Sequence, residues 1–380
     1  MIIWETTQAC DLACRHCRAE ARPDPDPRSL TSNQAKRLLE QAQSFGKPSP
    51  IFIFTGGDPF KRADIFDLVK YAAEIGLVAA VSPSGTPLLN RENLLKLQGA
   101  GARAISLSID ASTPEKHDDF RQVPGSFELT VNGWKAAREI GLKLQVNTTV
   151  TRYNLTDLPQ LFKLVQELGS MTWSLFFLVP TGRGLEQDEI SPAEYEAVMH
   201  FLYDASKYIS AKTTEGHHYK RVVLQRSILE EKGETLESHI SLHPIYYQLK
   251  AELDQIVAEK GLEPRPGIKR TPMHINAGNG FVFISHLGDV FPSGFMPLRA
   301  GNIKEESLVN IYRNAPLFQT LRDTAQLEGR CGLCEFSGIC GGSRSRAYAM
   351  TGNPVAEEPF CTYEPGSFSF REELAERLAI

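Results

Sequence analysis

The chain has 380 residues, of which 42% are hydrophobic and 23% are charged, and its formal net charge is −5. This composition is typical of a globular protein and excludes a disordered chain. The absence of a long uncharged apolar run excludes a transmembrane helix, and the absence of a basic stripe argues against nucleic-acid binding as the main role. The first residues lack the pattern of a secretory signal, so we expect a cytoplasmic protein.

Apolar runs alternate with amphipathic segments along the first 210 residues. Helix starts are marked by capping-box patterns at Thr31 and Ser191. Buried-type strands between amphipathic helices favour a parallel sheet covered on both faces. Six such units predict an α/β fold with a partial (β/α)6 TIM-like barrel, and an open doubly wound sheet is the alternative. The predicted strands are 2–5, 51–55, 77–81, 104–109, 142–150 and 173–179, and the predicted helices are 31–45, 65–75, 92–97, 127–140, 158–168 and one from 191 onward.

Polar or glycine-rich segments follow five of these strands. Because the carboxyl ends of parallel strands meet at one edge of a sheet, we expect these segments to form the wall of one pocket. They are Thr55–Asp58, Ser82–Thr86, Ser108–Asp110, Asn147–Thr149 and Pro180–Gly184.

The remainder of the chain has a different pattern. We predict a barrel over residues 1–212, a bridging segment over 213–275 and a small Cys-rich domain over 276–380. The bridging segment includes a predicted helix over 236–260 and a proline-rich connector over 261–272. The last segment contains a predicted hairpin of strands 281–285 and 290–292.

Seven cysteines form two groups, three near the start of the chain and four near its end. Spacings this tight are typical of metal or iron–sulfur ligation, whereas isolated cysteines are more often small buried side chains. Four thiolates close a zinc site or a four-iron cluster, and three thiolates leave one iron open to a small molecule. The predicted ligands are Cys10, Cys14 and Cys17 in the first group and Cys331, Cys334, Cys340 and Cys361 in the second.

The first group resembles the motif of the radical S-adenosylmethionine (SAM) enzymes. The segment Cys10–Cys17 has the spacing C-x3-C-x2-C, and Gly56-Gly57-Asp58 is similar to the family's glycine-glycine-acid motif, with aspartate in place of glutamate. Ser108, Arg121 and Asn147 match polar positions of the family, and the resemblance covers the whole chain. It implies a 4Fe-4S cluster on the three thiolates, with SAM bound to the open iron and cleaved to a 5′-deoxyadenosyl radical that removes a substrate hydrogen.

The resemblance also implies roles for individual residues. His16 packs near the cluster and the adenine, Asp58 receives the SAM ammonium, and Gly56 and Gly57 let the backbone approach the ligand. Arg121 pairs with the SAM carboxylate, and Ser108 and Asn147 bind the carboxylate or the ribose. No side chain is identified as a catalytic acid, base or radical relay.

The second group resembles the SPASM/twitch extension of radical SAM enzymes. Its spacing is Cys331-x2-Cys334-x5-Cys340, with Cys361 later, while Arg344 and Ser293 stand where a full extension has further cysteines. The resemblance therefore implies one auxiliary 4Fe-4S cluster, fully ligated, which passes electrons or stabilises the fold. Zinc is the alternative occupant.

Three short stretches of the sequence are Cys14–Ala19, Pro180–Gly184, and Ile275–Gly278 with Pro292–Pro297. They are similar to the tetrapyrrole-modifying subgroup, which serves alternative haem and haem d1 synthesis. The predicted substrate is thus a tetrapyrrole with propionate side chains, and the predicted electron donor is a ferredoxin or flavodoxin. A maturase of a ribosomal peptide is the alternative, followed by a non-catalytic electron-transfer protein.

Candidates for iron ligation or proton transfer are His217, His218 and Tyr219, with a polar loop as the alternative. Further candidates, for carboxylate binding if they converge, are Arg183, Lys220, Arg221, Arg299 and Arg344.

Overall fold

The computed structural model describes residues 1–19, 21–265 and 275–378, so part of the predicted connector lies outside the described residues. The strands are β1 Ile2–Glu5, β2 Ile51–Thr55, β3 Val78–Val81, β4 Ala104–Ser108, β5 Lys143–Val150, β6 Thr172–Phe177, β7 Ala211–Thr214, β8 Val282–Ile284, β9 Asp289–Phe291 and β10 Gly301–Asn302. The first nine helices are α1 Ser32–Gln43, α2 Ile65–Glu74, α3 Arg91–Gly99, α4 Pro114–Arg121, α5 Ser126–Glu139, α6 Leu158–Leu168, α7 Pro192–Ala205, α8 Tyr219–Lys232 and α9 Ile245–Lys260. The others are α10 Leu308–Asn314, α11 Pro316–Arg322, α12 Gly329–Leu333, α13 Arg344–Thr351 and α14 Arg371–Leu378.

One sheet runs through the molecule in the order β10-β9-β8-β1-β2-β3-β4-β5-β6-β7. The pairs from β8 through β1 to β7 are parallel, and β8, β9 and β10 pair antiparallel. Residues of β1, β2, β4, β5, β6 and β7 face one common cavity, as does Ser82 just after β3, so the sheet is curved around it. This arrangement confirms the parallel α/β fold.

Helices cover the outer face of this sheet because each one places an apolar stripe on it. In α6, for example, Leu161, Phe162 and Val165 are fully buried, and they recur with the period of a helix. Capping boxes start α1 at Thr31 and α7 at Ser191, as predicted. The six predicted strands and six predicted helices of the barrel are all present, with ends that differ by at most two residues, and the helix α4 is an addition to them.

The chain departs from the prediction just beyond the sixth strand. A seventh parallel strand, β7, follows α7, and it spans the predicted boundary at residue 212. The predicted hairpin is present as β8 and β9, but β8 pairs with β1 and so extends the barrel sheet. The division of the chain into three segments stays a prediction.

The region between β7 and β8 also differs from the prediction. The long helix predicted over 236–260 is wrong at its start, because α9 begins only after Pro244, whose ring cannot continue a helix from the preceding turn. The helix α8 was not predicted. Its inner face carries Arg221 and Arg226, which pair with Glu196 and Asp204 of α7 in the interior, so the helix lacks a simple apolar stripe.

Candidate active site and second cysteine cluster

A cavity of about 300 Å³ opens at the carboxyl ends of the strands. Cys10, Cys14 and Cys17 all line it. Side chains or backbone from four of the five predicted polar segments line it as well, so the prediction of a common wall is confirmed for those four. The lining residues from these segments are Thr55, Gly56, Gly57, Ser82, Pro83, Ser84, Gly85, Ser108 and Asn147.

The fifth segment, Pro180–Gly184, does not line the cavity but packs against the loop that carries the first three cysteines. The backbone amide of Arg183 donates to the carbonyl of Cys17 at 2.9 Å. A Cβ on Gly182, whose φ is +60°, would lie 2.5 Å from the same carbonyl oxygen. This residue must therefore be glycine for the two loops to pack.

The thiols of Cys10 and Cys14 are buried, and burial raises the pKa of both. A thiolate at such a position needs hydrogen-bond donors or a positive charge, and a metal supplies positive charge directly. One donor is already in place, because the amide of Leu12 lies 3.4 Å from Cys10 Sγ. The Cys10 thiol itself donates to Ser84 Oγ at 3.5 Å, and the Ser84 hydroxyl donates to the Gly57 carbonyl. Deprotonation of Cys10 on metal binding would therefore cost only this weak contact.

The two glycines of the Gly56-Gly57-Asp58 segment pack against the backbone that leads from β1 to Cys10. A Cβ on Gly56 would lie 2.3 Å from the Thr7 carbonyl oxygen, and one on Gly57 would lie 2.4 Å from that of Ala9. Gly57 N donates to the Thr7 carbonyl at 2.8 Å. The glycines also line the cavity, but their first effect is to let this backbone pair with the loop that carries the first cysteine.

Asp58 is fully buried and does not line the cavity. Its carboxylate accepts hydrogen bonds from Thr86 Oγ1 at 2.6 Å and from Phe60 N at 3.2 Å. These bonds fix the turn after β2. The role predicted for Asp58 toward the SAM ammonium stays a prediction, and the structure adds a structural role.

Arg121, the last residue of α4, reaches the first cysteine group. Its guanidinium donates to the carboxylate of Asp110 and lies with Nη1 3.5 Å from Cys14 Sγ. The Nε atom is buried and has no partner. A buried arginine with an unpartnered N–H at the cavity wall is suited to an anionic ligand.

His16 lines the same cavity, with its ring stacked on Phe120 at 4.6 Å between centroids. The ring faces the cavity and is shielded from bulk solvent, and burial lowers its pKa to about 4. It is therefore neutral at pH 7, and its buried Nδ1 has no partner. This placement fits packing against a bound group.

Ser108 at the end of β4 and Asn147 within β5 are cross-strand neighbours, and both line the cavity. Ser84 and Asp110 were not predicted as individual site residues. Both lie within the predicted polar segments, but only the fold shows that Ser84 contacts Cys10 and that Asp110 pairs with Arg121.

Another part of the cavity wall is aromatic and cationic. Arg18 lies with its guanidinium carbon 4.2 Å from the Phe283 ring centroid, and its Nη1 is 3.4 Å from a carboxylate oxygen of Glu5. Lys212 of β7 also lines the wall. The aromatic residues of this wall are Phe176, Phe281, Phe283 and Phe295.

The basic residues chosen from the sequence do not converge here. Lys220 Nζ donates to two carbonyls, at 2.9 and 3.0 Å, and Arg221 pairs with Glu196. Arg299 is half-exposed and pairs with Asp289. None of these three lines the cavity with the three cysteines, and Arg183 and Arg344 do not line it either.

The four C-terminal cysteines line one separate cavity. Backbone amides point at two of their sulfurs: Glu358 N lies 3.3 Å from Cys331 Sγ, and Gly342 N lies 3.4 Å from Cys340 Sγ. Burial raises the pKa of both Cys334 and Cys340 to about 12. Amide donors around buried thiols fit thiolate ligands, since hydrogen bonds to the sulfurs stabilise their negative charge.

In residues 1–19, 21–265 and 275–378, no group of three or more His, Cys, Asp or Glu side chains is arranged to hold a single metal ion. Over the same part of the chain, no helix is long and apolar enough to span a bilayer. All seven cysteines are free of disulfides.

Of the two adjacent histidines, His218 lines the second cavity and His217 lines neither cavity. His218 is 1% exposed and lines the cavity of the four cysteines, so the polar-loop alternative is wrong for this residue. Neither ring nitrogen of His218 has a partner. Tyr219 is buried in the first turn of α8.

Comparison with known proteins identifies the class to which this site belongs. The Radical SAM superfamily matches residues 4–165. A relative identical at 39% of 368 positions covers 96% of this chain and 97% of its own length. The chain belongs to the radical SAM superfamily.

That relative is the AdoMet-dependent heme synthase of Methanosarcina barkeri. The pre-heme d1 synthase of Dinoroseobacter shibae is 28% identical over 373 residues, which are 95% of this chain and 85% of that protein. Among solved structures, anSMEcpe with bound AdoMet has a TM-score of 0.66 at 16% identity and covers 100% of this chain and 97% of that one. Streptococcus suis SuiB bound to S-adenosylmethionine has a TM-score of 0.65 at 16% identity. The match covers 95% of this chain and 77% of that one. These two structures share the fold.

Proposed function

We propose that this radical SAM enzyme removes a hydrogen atom from propionate side chains of a tetrapyrrole and converts them by oxidative decarboxylation. The radical left on the side chain would lose carbon dioxide and pass its remaining electron to a one-electron acceptor, which leaves a vinyl group. The observation that carries the proposal is the 39% identity to an AdoMet-dependent heme synthase, which extends over nearly the full length of both chains. The cavity supports it, because its wall combines aromatic rings with Arg18 and Lys212. Rings suit a flat macrocycle, and cations suit its carboxylates.

Cys10, Cys14 and Cys17 would hold a 4Fe-4S cluster with one open iron. When bound there, the cluster and SAM supply the 5′-deoxyadenosyl radical that starts the reaction. The fit is supported by the unpartnered Nε of Arg121 and Nδ1 of His16, which are buried polar atoms on the wall of this cavity.

The chain's own residues bind and orient the ligands. Arg121 would bind the SAM carboxylate through its unpartnered Nε, while Asp110 and Cys14 hold the guanidinium in place. Ser108 and Asn147 would donate to the carboxylate or the ribose. The stacked rings of His16 and Phe120 would exclude water from the cluster and pack near the adenine.

The four cysteines of the second cavity would hold an auxiliary 4Fe-4S cluster. With every iron ligated by the protein, this cluster would carry electrons or stabilise the C-terminal region. A ferredoxin or flavodoxin is the proposed electron donor. We place the reaction in the cytoplasm, which is supported by seven cysteines free of disulfides.

The alternative substrate is a ribosomally made peptide. A relative named PqqA peptide cyclase is 24% identical over 379 residues, which are 96% of this chain and 86% of that protein. This identity is lower than that to the heme synthase, so it supports the alternative less well.

The test uses anaerobically reconstituted protein with dithionite and SAM. Iron-coproporphyrin and didecarboxysirohaem are added in turn, and 5′-deoxyadenosine and product mass are followed. We expect deoxyadenosine to rise with one porphyrin, and that porphyrin to lose one carbon dioxide and two hydrogen atoms per converted side chain. Slow cleavage that no porphyrin changes would reject the tetrapyrrole and favour the peptide.

A further inference from the structure

The cavity of the four C-terminal cysteines contains one side chain that no bond within the protein explains. His218 precedes α8 and lines this cavity, and the side chain is buried at 1% exposure. Neither Nδ1 nor Nε2 has a hydrogen-bond partner. A buried polar group without a partner costs about 1–3 kcal/mol, so an occupied cavity is the physical reason to keep it there.

The surroundings of the ring fix its orientation. Tyr195 lies nearly parallel to one face, with ring centroids 6.2 Å apart and planes inclined by 23°. The neighbouring Arg221 pairs with Glu196, at 2.5 and 2.8 Å, and Nη1 also donates to Gln225, while its buried Nε has no partner. The other charges near the ring, Glu358 and Arg346, pair with each other at 3.3 Å. The imidazole edge is therefore left for whatever fills the cavity.

The imidazole of His218 carries at least one N–H donor in either protonation state. The other groups that face the cysteine sulfurs are also donors, namely the amides of Glu358 and Gly342 and the guanidinium of Arg344, which lies 3.7 Å from Cys331 Sγ.

We propose that His218 donates an N–H···S hydrogen bond to the cluster of the second cavity and thereby sets its reduction potential. The inference rests on the auxiliary cluster of the proposed function. Such a bond stabilises the reduced, more negatively charged form more than the oxidised form, so it raises the potential. His218 is a positioning and tuning residue and not a ligand in this assignment.

The experiment compares wild type with His218→Phe, which keeps the ring size without the N–H, and with His218→Gln, which keeps a donor. His239→Phe is the matched control, since His239 bonds Glu234 and Ser369 away from the cavity. Reductive titrations are followed by electron paramagnetic resonance, and the Cys334→Ala spectrum identifies the signal of the first cluster. We expect His218→Phe to lower the potential of the second cluster only, His218→Gln to lower it less, and His239→Phe to leave it unchanged.

A second measurement detects the hydrogen bond directly in the wild type, and His218→Gln assigns it to His218. Wild-type protein labelled with ¹⁵N-histidine is reduced, and pulsed resonance on the second cluster is expected to detect coupling to one imidazole nitrogen that His218→Gln abolishes. Unchanged potentials and no coupling, with about eight irons per chain, would overturn the role of His218 and leave the auxiliary cluster standing. About four irons per chain in the wild type would instead overturn the auxiliary cluster and the inference with it.

Discussion

Arg121 links Asp110 to Cys14, because its guanidinium donates to the Asp110 carboxylate and lies with Nη1 3.5 Å from Cys14 Sγ. Asp110 follows β4, Arg121 ends α4, and Cys14 belongs to the loop after β1. Three separate elements are thus joined by one buried cation at the cavity wall. This link allows the structural role of Arg121 to be separated from its proposed role in SAM binding.

Arg121→Gln is expected to weaken SAM binding by ten-fold or more, because a charge-assisted hydrogen bond contributes about 1.5–3 kcal/mol. The same change leaves the buried Asp110 charge unpaired and should lower the free energy of unfolding by about 3–5 kcal/mol. The double variant Arg121→Gln/Asp110→Asn should recover stability and not SAM affinity. Calorimetric titration with SAM and urea unfolding measure the two effects. Recovery of affinity in the double variant would contradict direct contact between Arg121 and SAM.

Cys14→Ala is expected to abolish SAM cleavage, since two thiolates cannot hold the first cluster. Cys334→Ala is the matched variant for the second cavity, and it should keep dithionite-driven SAM cleavage. Each change should remove about four of about eight irons per chain. Iron, zinc and deoxyadenosine are measured after anaerobic reconstitution. Cleavage retained in Cys14→Ala would refute the first assignment, and an unchanged iron content in Cys334→Ala would refute the second.

Gly57→Ala is expected to prevent assembly of the first cluster while the chain still folds. The added methyl group would lie 2.4 Å from the Ala9 carbonyl oxygen, which is backbone that must shift and take Cys10 with it. Gly99→Ala in α3 is the control, because a Cβ there has no neighbour within 4 Å. Absorbance of the reconstituted proteins measures cluster content, and circular dichroism measures folding. Equal cluster content in both variants would show that the loop tolerates the shift.

Arg18→Gln is expected to raise KM for a porphyrin substrate by about ten-fold, because a carboxylate loses a charged donor at the cavity wall. Arg299→Gln removes an equal charge from a half-exposed site that does not line the cavity, and it should leave KM unchanged. Steady-state product formation measures both. An effect of the same size in the two variants would indicate a general loss of charge and not a contact with substrate.

Glu189 should make the stability of the protein depend on pH. Burial raises its pKa to about 7 from an ordinary value of 4.5, and Tyr195 Oη donates to the carboxyl at 2.6 Å. Between these two pH values the folded protein binds more protons than the unfolded chain, so the free energy of unfolding falls as pH rises, by up to about 3 kcal/mol.

Urea unfolding of reconstituted protein between pH 5.5 and about pH 8 tests this slope. Glu189→Gln should flatten it, because the amide does not titrate. Glu305→Gln, which changes an exposed carboxylate, should leave the slope as it is in the wild type. A slope that is the same in wild type and Glu189→Gln would assign the pH dependence to another group.

Local patterns in the sequence were sufficient for most of the barrel. The six strands and six of the seven helices before residue 210 were predicted because each buries a continuous or periodic set of apolar residues, and Thr31 and Ser191 start helices through short-range bonds. The helix α4 was not predicted, because it buries only His117 and Phe120. Tight cysteine spacing was likewise a local signal for both ligand groups. The α8 helix was missed because Arg221 and Arg226 are buried in ion pairs with α7. A charged residue that is buried in an ion pair interrupts the apolar pattern by which a helix is predicted from sequence.

The sequence by itself therefore determined the class of fold, the two groups of thiols and the glycine-rich turn, since these depend on neighbours within a few positions. Only the tertiary structure decided that Asp58 is hydrogen-bonded to Thr86, that Arg18 and Lys212 join Arg121 as cations of the first cavity, and that His218 lines the second. These contacts join residues far apart in the chain. Such contacts depend on how the sheet curves and on which buried charges find partners, and no local pattern encodes either.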